Sequence, residues 1–299
     1  METLEYLHRK MDNLEDLHGI VKTMKALSAA NIHQYDQAVG ALDGYYRTIE
    51  MGLHILLKDY DPASFNSPRP RTANRLGAII FGSDHGLCGR FNEDIALYAT
   101  ERMGAIPADS THRQILAIGA RVAENLEDAG EGIDEVMPVP ASAAQITSLV
   151  ERILMTIDDW REAGNVHYVY LFYNHPLKRS GYHPIGVELL PVNLQRFHRL
   201  EEERWPSRSL PTYTMNRQTL FQRLLDQYLF VLLFRACAES QASEHASRLV
   251  AMQSAERALD ERLEDVTMNF RRVRQSLITS ELLDLISGFE TTGSTDQTN

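Results

Sequence analysis

The sequence predicts an α/β domain carried on a long antiparallel coiled coil. Three observations predict it: the placement of the prolines, the spacing of apolar residues in the two end segments, and the alternation of strand and helix patterns between them. All eleven prolines of the 299 residues lie between Pro62 and Pro211. Proline removes a backbone donor and clashes with the preceding helical turn, so only the proline-free ends are open to long uninterrupted helices.

The end segments carry the apolar spacing such helices need. From Leu4 a 3-4 register runs through Leu7, Met11, Leu14, Val21, Ile32, Tyr35, Val39, Leu42, Tyr46, Ile49, Leu53 and Leu56. His18, Lys25 and Ser28 interrupt it, and there the apolar character shifts sideways to Leu17, Ile20, Met24 and Leu27. Near the other end Leu249, Met252, Leu259, Leu263, Val266, Phe270, Val273 and Leu277 keep the same rule, with Glu256 a misfit. The stripe then slips by one to Ile278, Leu282, Leu285 and Phe289. A 3.5-residue period sustained this long indicates a coiled-coil seam. At 1.5 Å per residue the two arms would reach roughly 85 Å and 110 Å, too long for a globule's interior. Because they flank a folded middle, arms that pair with each other must run antiparallel. Separate packing of each arm on a helical bundle is the alternative.

The middle alternates strand and helix. "LGAIIFGS" (76–83) is a buried-strand run before a helical pattern at 91–103, and "ILAIG" (115–119) precedes a helix at 120–129. "EVMPVP" leads into the periodic "SAAQITSLVERILMTIDDW", and "VHYVYLFYN" (166–174) and "GVELLPV" (186–192) close the sheet. This alternation predicts a mostly parallel, doubly wound sheet, with the final pair open to an antiparallel arrangement. The expected organisation is a coiled-coil helix at 1–60, a linker at 61–74, the α/β domain at 75–211, a second coiled-coil helix at 212–289 and a disordered tail at 290–299.

Composition excludes several classes of function. A net charge of −11 argues against nucleic-acid binding, which relies on Lys and Arg neutralising phosphates. The longest apolar runs, such as "YLFVLLF" at 228–234, are too short to cross a bilayer. The opening "METLEYLHRKMDNLEDLH" reads as neither a secretory signal nor a transit peptide. Cys88 and Cys237 give no disulfide framework, which suits a reducing compartment.

One loop gathers chemically active side chains. In "GSDHGLCGRFN" (82–92), three glycines are interleaved with Ser83, Asp84, His85 and Cys88 after the first strand, where ligand loops of α/β folds commonly sit. Yet Gly82, Gly86 and Gly89 fit neither the dinucleotide nor the P-loop spacing, and Ser83 directly follows Gly82, which breaks the nucleophile-elbow pattern. The structural reading is a tight strand-to-helix turn in which glycines supply positive φ and Asn92 or Asp84 caps backbone donors. His167, His175 and His183 lack ligand spacing. No catalytic residue, cofactor or metal is expected. The basic run Arg271, Arg272 and Arg274, like Lys22 and Lys25, is either a solvated helix face or a surface for an acidic partner. An α/β enzyme whose coiled-coil arm recruits a partner, and a purely structural adaptor, both remain open on the residues alone.

Particular words of the chain go further. "IVKTMKALSAANI" (20–32), "GSDHGLCGRFN", "VELLPV" (187–192), and "ESQASEHASRLVAMQSAERAL" (239–259) followed by "RQSLITSELLDLISG" (274–288) stand in this order along the sequence. In these segments it resembles the gamma subunit of F-type ATP synthases, whose pattern around the loop is S-D-x-G-L-C-G-G-x-N. It departs from that family at His85, at Arg90, in "SAERAL" where the family has A-T-x-N-A, and in its opening residues. The departures point to a divergent branch, an alternative bacterial or archaeal form.

The resemblance implies a central-stalk rotor subunit with no catalytic residue of its own. Its partners would be the alpha and beta subunits of the catalytic hexamer, the epsilon subunit and the membrane c-ring. It would couple c-ring rotation to conformational change at the beta-subunit sites, as a peripheral protein on the cytoplasmic face of the cell inner membrane. Carried over by position, Lys22, Met24 and Lys25 would face moving acidic loops of the beta subunits. Arg274, Gln275, Thr279 and Glu281 would meet a beta-subunit catch loop.

Overall fold

The proline-free ends form two helices, α1 (Leu4–Leu57) of 54 residues and α5 (Arg217–Gly293) of 77. The computed structural model describes residues 3–57, 75–106, 113–164, 166–177, 181–194 and 212–293. The expected linker at 61–74 and the last six tail residues lie outside them. Helix α5 includes residues 290–293, past the expected boundary at 289, because nothing between Gly288 and Gly293 breaks a helix as proline would.

Two compact units divide the chain, Ser28–Leu249 on one side and Met1–Leu27 with Val250–Asn299 on the other. In the larger unit the sheet is built from β1 (Arg75–Phe81), β2 (Gln114–Ile118), β3 (Glu135–Met137), β4 (Val166–Pro176) and β5 (Tyr182–Leu190). Its helices are α2 (Phe91–Ala105), α3 (Ala120–Asp128) and α4 (Ile146–Gly164). Strand order is β3-β2-β1-β4-β5, parallel throughout except for the β4–β5 pair.

Central β1 is buried along nearly its whole length, as expected of a parallel strand covered on both faces. Alternate residues feed two cores. Ile79 and Phe81 join Leu116, Ile118, Val169 and Leu171 beneath Ile153, Ile157 and Trp160 of α4. Ala78 and Ile80 join Ile115 and Ala117 against Ile95 and Ala99 of α2 and Val122 and Leu126 of α3. Strand β5 begins at Tyr182, earlier than the sequence predicts, because it is an edge strand and so tolerates Pro184.

The same unit draws α5 against the first core through Leu233, Ala236 and Cys237. Further along, α1 and α5 meet through Tyr46 and Tyr228, 6.0 Å between ring centroids, and through Tyr45, whose hydroxyl donates to Gln227 at 2.6 Å.

In the smaller unit α1 and α5 pair again. His8 faces Phe270 at 6.1 Å between rings, His18 Nε2 lies 3.2 Å from Asp260 Oδ1, and Lys25 is ion-paired with Glu256. Rising numbers on α1 meet falling numbers on α5, so the helices are antiparallel, as the sequence predicts.

One detail of the seam differs from expectation. Every position of the α1 register is buried or half-buried, including His18, Lys25 and Ser28. The stripe does not move sideways, and Leu17, Ile20 and Leu27 are exposed instead. Polar residues keep the seam because α5 supplies partners for two of them. Toward its end α5 outruns α1: from Arg274 to Ile286 every residue is exposed, with Leu277, Ile278, Leu282 and Leu285 about half open to solvent.

Candidate functional site

The chemically suggestive loop is a structural joint. Ser83 and Cys88 are sealed from solvent. Ser83 N–H donates to Asn92 Oδ1 at 2.9 Å, Asn92 Nδ2 donates to Ser83 Oγ at 2.8 Å, and that hydroxyl donates to the His85 carbonyl at 2.9 Å. Asp84 accepts from Ala120 N–H at the start of α3 (3.0 Å) and from Val139 N–H (3.1 Å), tying three segments together. The expected capping by Asn92 and Asp84 is thus present. Burial pushes the Cys88 thiol up, away from the thiolate a nucleophile needs. His85 joins this set through its backbone carbonyl while its side chain is exposed.

The glycine expectation needs correction. Gly89 has positive φ (61°), but Gly82 and Gly86 do not, and Leu87 takes the left-handed conformation instead (62°). The cause is α5: Arg248 Nη2 donates to the carbonyls of His85 (3.1 Å) and Gly86 (3.3 Å), and Ser247 Oγ donates to that of Cys88 (2.6 Å). Carbonyls on both sides of Leu87 are drawn to one helix, and the backbone turns back between them. Gly82 serves close packing, since a Cβ there would lie 2.3 Å from Val122 Cβ.

Sequence reasoning missed the polar network behind this joint. Residues 236–244 of α5 are all buried, yet they include Glu239, Ser240, Gln241, Ser243 and Glu244. Glu239 accepts from Arg235 Nε at 2.8 Å and pairs with His175 Nδ1 at 2.7 Å. Ser243 Oγ donates to the Asn174 carbonyl, and Asn174 Nδ2 donates to the Phe91 carbonyl. Burial raises the Glu244 carboxyl despite Arg248 at 2.7 Å. Burial, with Arg248 nearby, lowers His245 to about 4. The signal available in sequence was "AESQASEHAS": small residues that permit close approach on every side, interleaved with polar groups that then need partners.

The residues expected to face a partner lie on the smaller unit. Lys22 is exposed, Met24 is half-buried, and Lys25 is half-buried in its pair with Glu256. Around them Leu17, Ile20 and Leu27 add an exposed apolar stripe at helical spacing. Glu256's carboxyl is held below its ordinary value by the hydrogen bond from Lys25, with Lys25, His18 and Lys22 adding attraction. Arg274, Gln275, Thr279 and Glu281 are all exposed, and Thr279 Oγ1 donates back to the Gln275 carbonyl at 2.8 Å. The two sets are not brought together: Arg274 is about 20 Å along α5 from Asp260, the partner of His18. Among the described residues no cluster of three or more His, Cys, Asp or Glu suited to a metal occurs, and no helix is long and apolar enough to cross a membrane.

The sequence profile of the family described as "ATP synthase" matches residues 3–291. The chain is 30% identical over 292 residues to an ATP synthase gamma chain of Geotalea uraniireducens, covering 97% of this chain and 99% of the relative. It is 29% identical to the gamma chain of Syntrophus aciditrophicus, covering 97% and 98%. Among solved structures it is similar to a chain of the Euglena gracilis mitochondrial ATP synthase in an OSCP/F1/c-ring assembly (TM-score 0.65, 16% identity, 99% of this chain and 96% of that one). It is also similar to a chain of the central stalk and c-ring of the Tetrahymena thermophila enzyme (TM-score 0.54, 19% identity, 79% and 99%). At these identities the solved structures speak for the fold.

Proposed function

The chain belongs to the ATP synthase gamma family, and on that premise we propose that it is the central-stalk rotor subunit of an F-type ATP synthase. In this reading it is not a catalyst. It couples rotation of a membrane c-ring to conformational change at the catalytic sites of the beta subunits, within a hexamer of alpha and beta subunits. Epsilon and the c-ring meet the α/β domain, and the chain is peripheral on the cytoplasmic face of the cell inner membrane.

The observation that carries this reading is the pairing of a family match over residues 3–291 with an α5 stretch, 274–286, that projects past α1 with every residue exposed. A shaft turning inside a ring must offer different faces to successive subunits. Each contact then biases a subunit's conformational equilibrium by its differential energy. Lys22, Met24 and Lys25 form one contact region for acidic loops of the beta subunits. Arg274, Gln275, Thr279 and Glu281 form the other. The domain scheme follows: a coiled-coil helix at 1–60, a linker at 61–74, the α/β domain at 75–211 and a second coiled-coil helix from 212.

The test is reconstitution. The chain alone should not hydrolyse ATP, and mixing it with its cognate alpha and beta subunits should give an active complex. Removing residues from Arg274 onward should weaken assembly or coupling more than replacing His85 or Cys88 does. Failure to join the hexamer would end this reading.

A further inference from the structure

Two positions where the apolar registers fail, Lys25 on α1 and Glu256 on α5, are each other's partners. A second polar seam residue, His18, meets Asp260 one α5 turn away. Glu256 also stands in "SAERAL", the segment where the sequence departs from the pattern of the family it resembles. Both side chains are half-buried, so the cost of desolvating two charges offsets much of their attraction, and added stability is a poor account of this arrangement. Alignment is a better one. A coiled coil of Leu, Val and Met can slide by one heptad and bury similar residues again, whereas a polar group at a seam position penalises all alignments but one. The α5 seam positions seven residues to either side of Glu256 are Leu249 and Leu263. A slide of about 10 Å in either direction therefore sets Lys25 against a leucine.

We infer that Lys25–Glu256, seconded by His18–Asp260, is a register lock that fixes the axial alignment of the two helices in the smaller unit. Glu256 is the positioning residue: it holds Lys25 in the seam and leaves Lys22 on the outer face. The alignment sets how far α5 extends beyond α1 and which residues of α1 look outward. This inference does not depend on the proposed function.

A disulfide reporter of register tests it in the full chain. Cysteines at His8 and Phe270, whose rings face each other in the native alignment, are oxidised, and the cross-link is read from linked N- and C-terminal peptides. E256K should lower the cross-link yield severalfold, and K25E/E256K should restore it. K25L/E256L gives the seam two leucines, so helicity measured by circular dichroism should hold while the yield still falls severalfold. An unchanged yield in K25L/E256L, or a charge swap that fails to restore it, would overturn the lock.

Discussion

Glu244 Oε1 and Arg248 Nη2 lie 2.7 Å apart, and their side chains are only 5% and 8% exposed. The same guanidinium holds two carbonyls of the glycine loop, so one buried ion pair secures α5 to the first strand–helix turn of the sheet. Arg248→Ala leaves Glu244 buried without its countercharge and should cost on the order of 3–5 kcal/mol. Arg248→Lys keeps the charge on a shorter side chain, whose ammonium falls short of the point where Nη2 meets the carboxylate and both carbonyls, so it should recover only part of that loss. Denaturant unfolding of the three proteins measures both.

Acid should expose the neighbouring imidazole. His245 stacks on Tyr35 at 5.7 Å between rings and lies 3.3 Å from Asn31 Nδ2, with its pKa lowered to about 4. The unfolded chain binds this proton below about pH 6.5, while the folded chain resists it until about pH 4. Stability should therefore fall as pH drops through that window, by about 2–3 kcal/mol for this group. Glu244 works in the opposite sense, because its raised carboxyl takes a proton in the folded state first. His245→Gln removes the imidazole contribution alone, so melting temperature plotted between pH 7 and pH 4 should flatten in the variant.

The exposed stripe beside Lys22 separates stability from association. Leu17, Ile20 and Leu27 are 50–60% exposed, so replacing all three with Gln removes little buried area. The melting temperature of the isolated chain should stay within a degree or two of the wild type, on the order expected for surface changes. Binding to the cognate alpha and beta subunits should weaken severalfold, measured by co-elution or titration calorimetry.

Much of the fold was legible because its signals are local. Proline placement marked out α1 and α5, continuous apolar runs marked β1 and β2, and turn chemistry foretold the capping by Asp84 and Asn92. What escaped is decided between segments far apart. His18 and Lys25 read as breaks in a stripe because periodicity judges each residue on its own helix, while Glu256 lies 231 residues from Lys25. Partners for "ESQASEH" come from the sheet and α1, neither of which lies near it in sequence. Positive φ was expected at glycines, and Gly89 has it, but Leu87 takes it as well because hydrogen bonds from α5 outweigh one residue's backbone preference. For the residues proposed to face a partner, composition pointed to exposed charge and the family resemblance supplied the positions.

The separation between Lys25 and Glu256 also sets an order of events at the ribosome. Residues 1–27 are made before the larger unit, and their complement from Val250 onward is made after it. At roughly 5–20 residues per second, the opening segment waits some tens of seconds for its mate. Most of a helix's stability in a protein comes from packing its apolar face, and the nascent stretch carries Leu7 and Val21 without the cover α5 later gives them. The larger unit, Ser28–Leu249, has every residue it needs before that cover arrives. Residues 3–27 are therefore the stretch that waits longest for its cover, and the smaller unit pairs only after the larger one can fold.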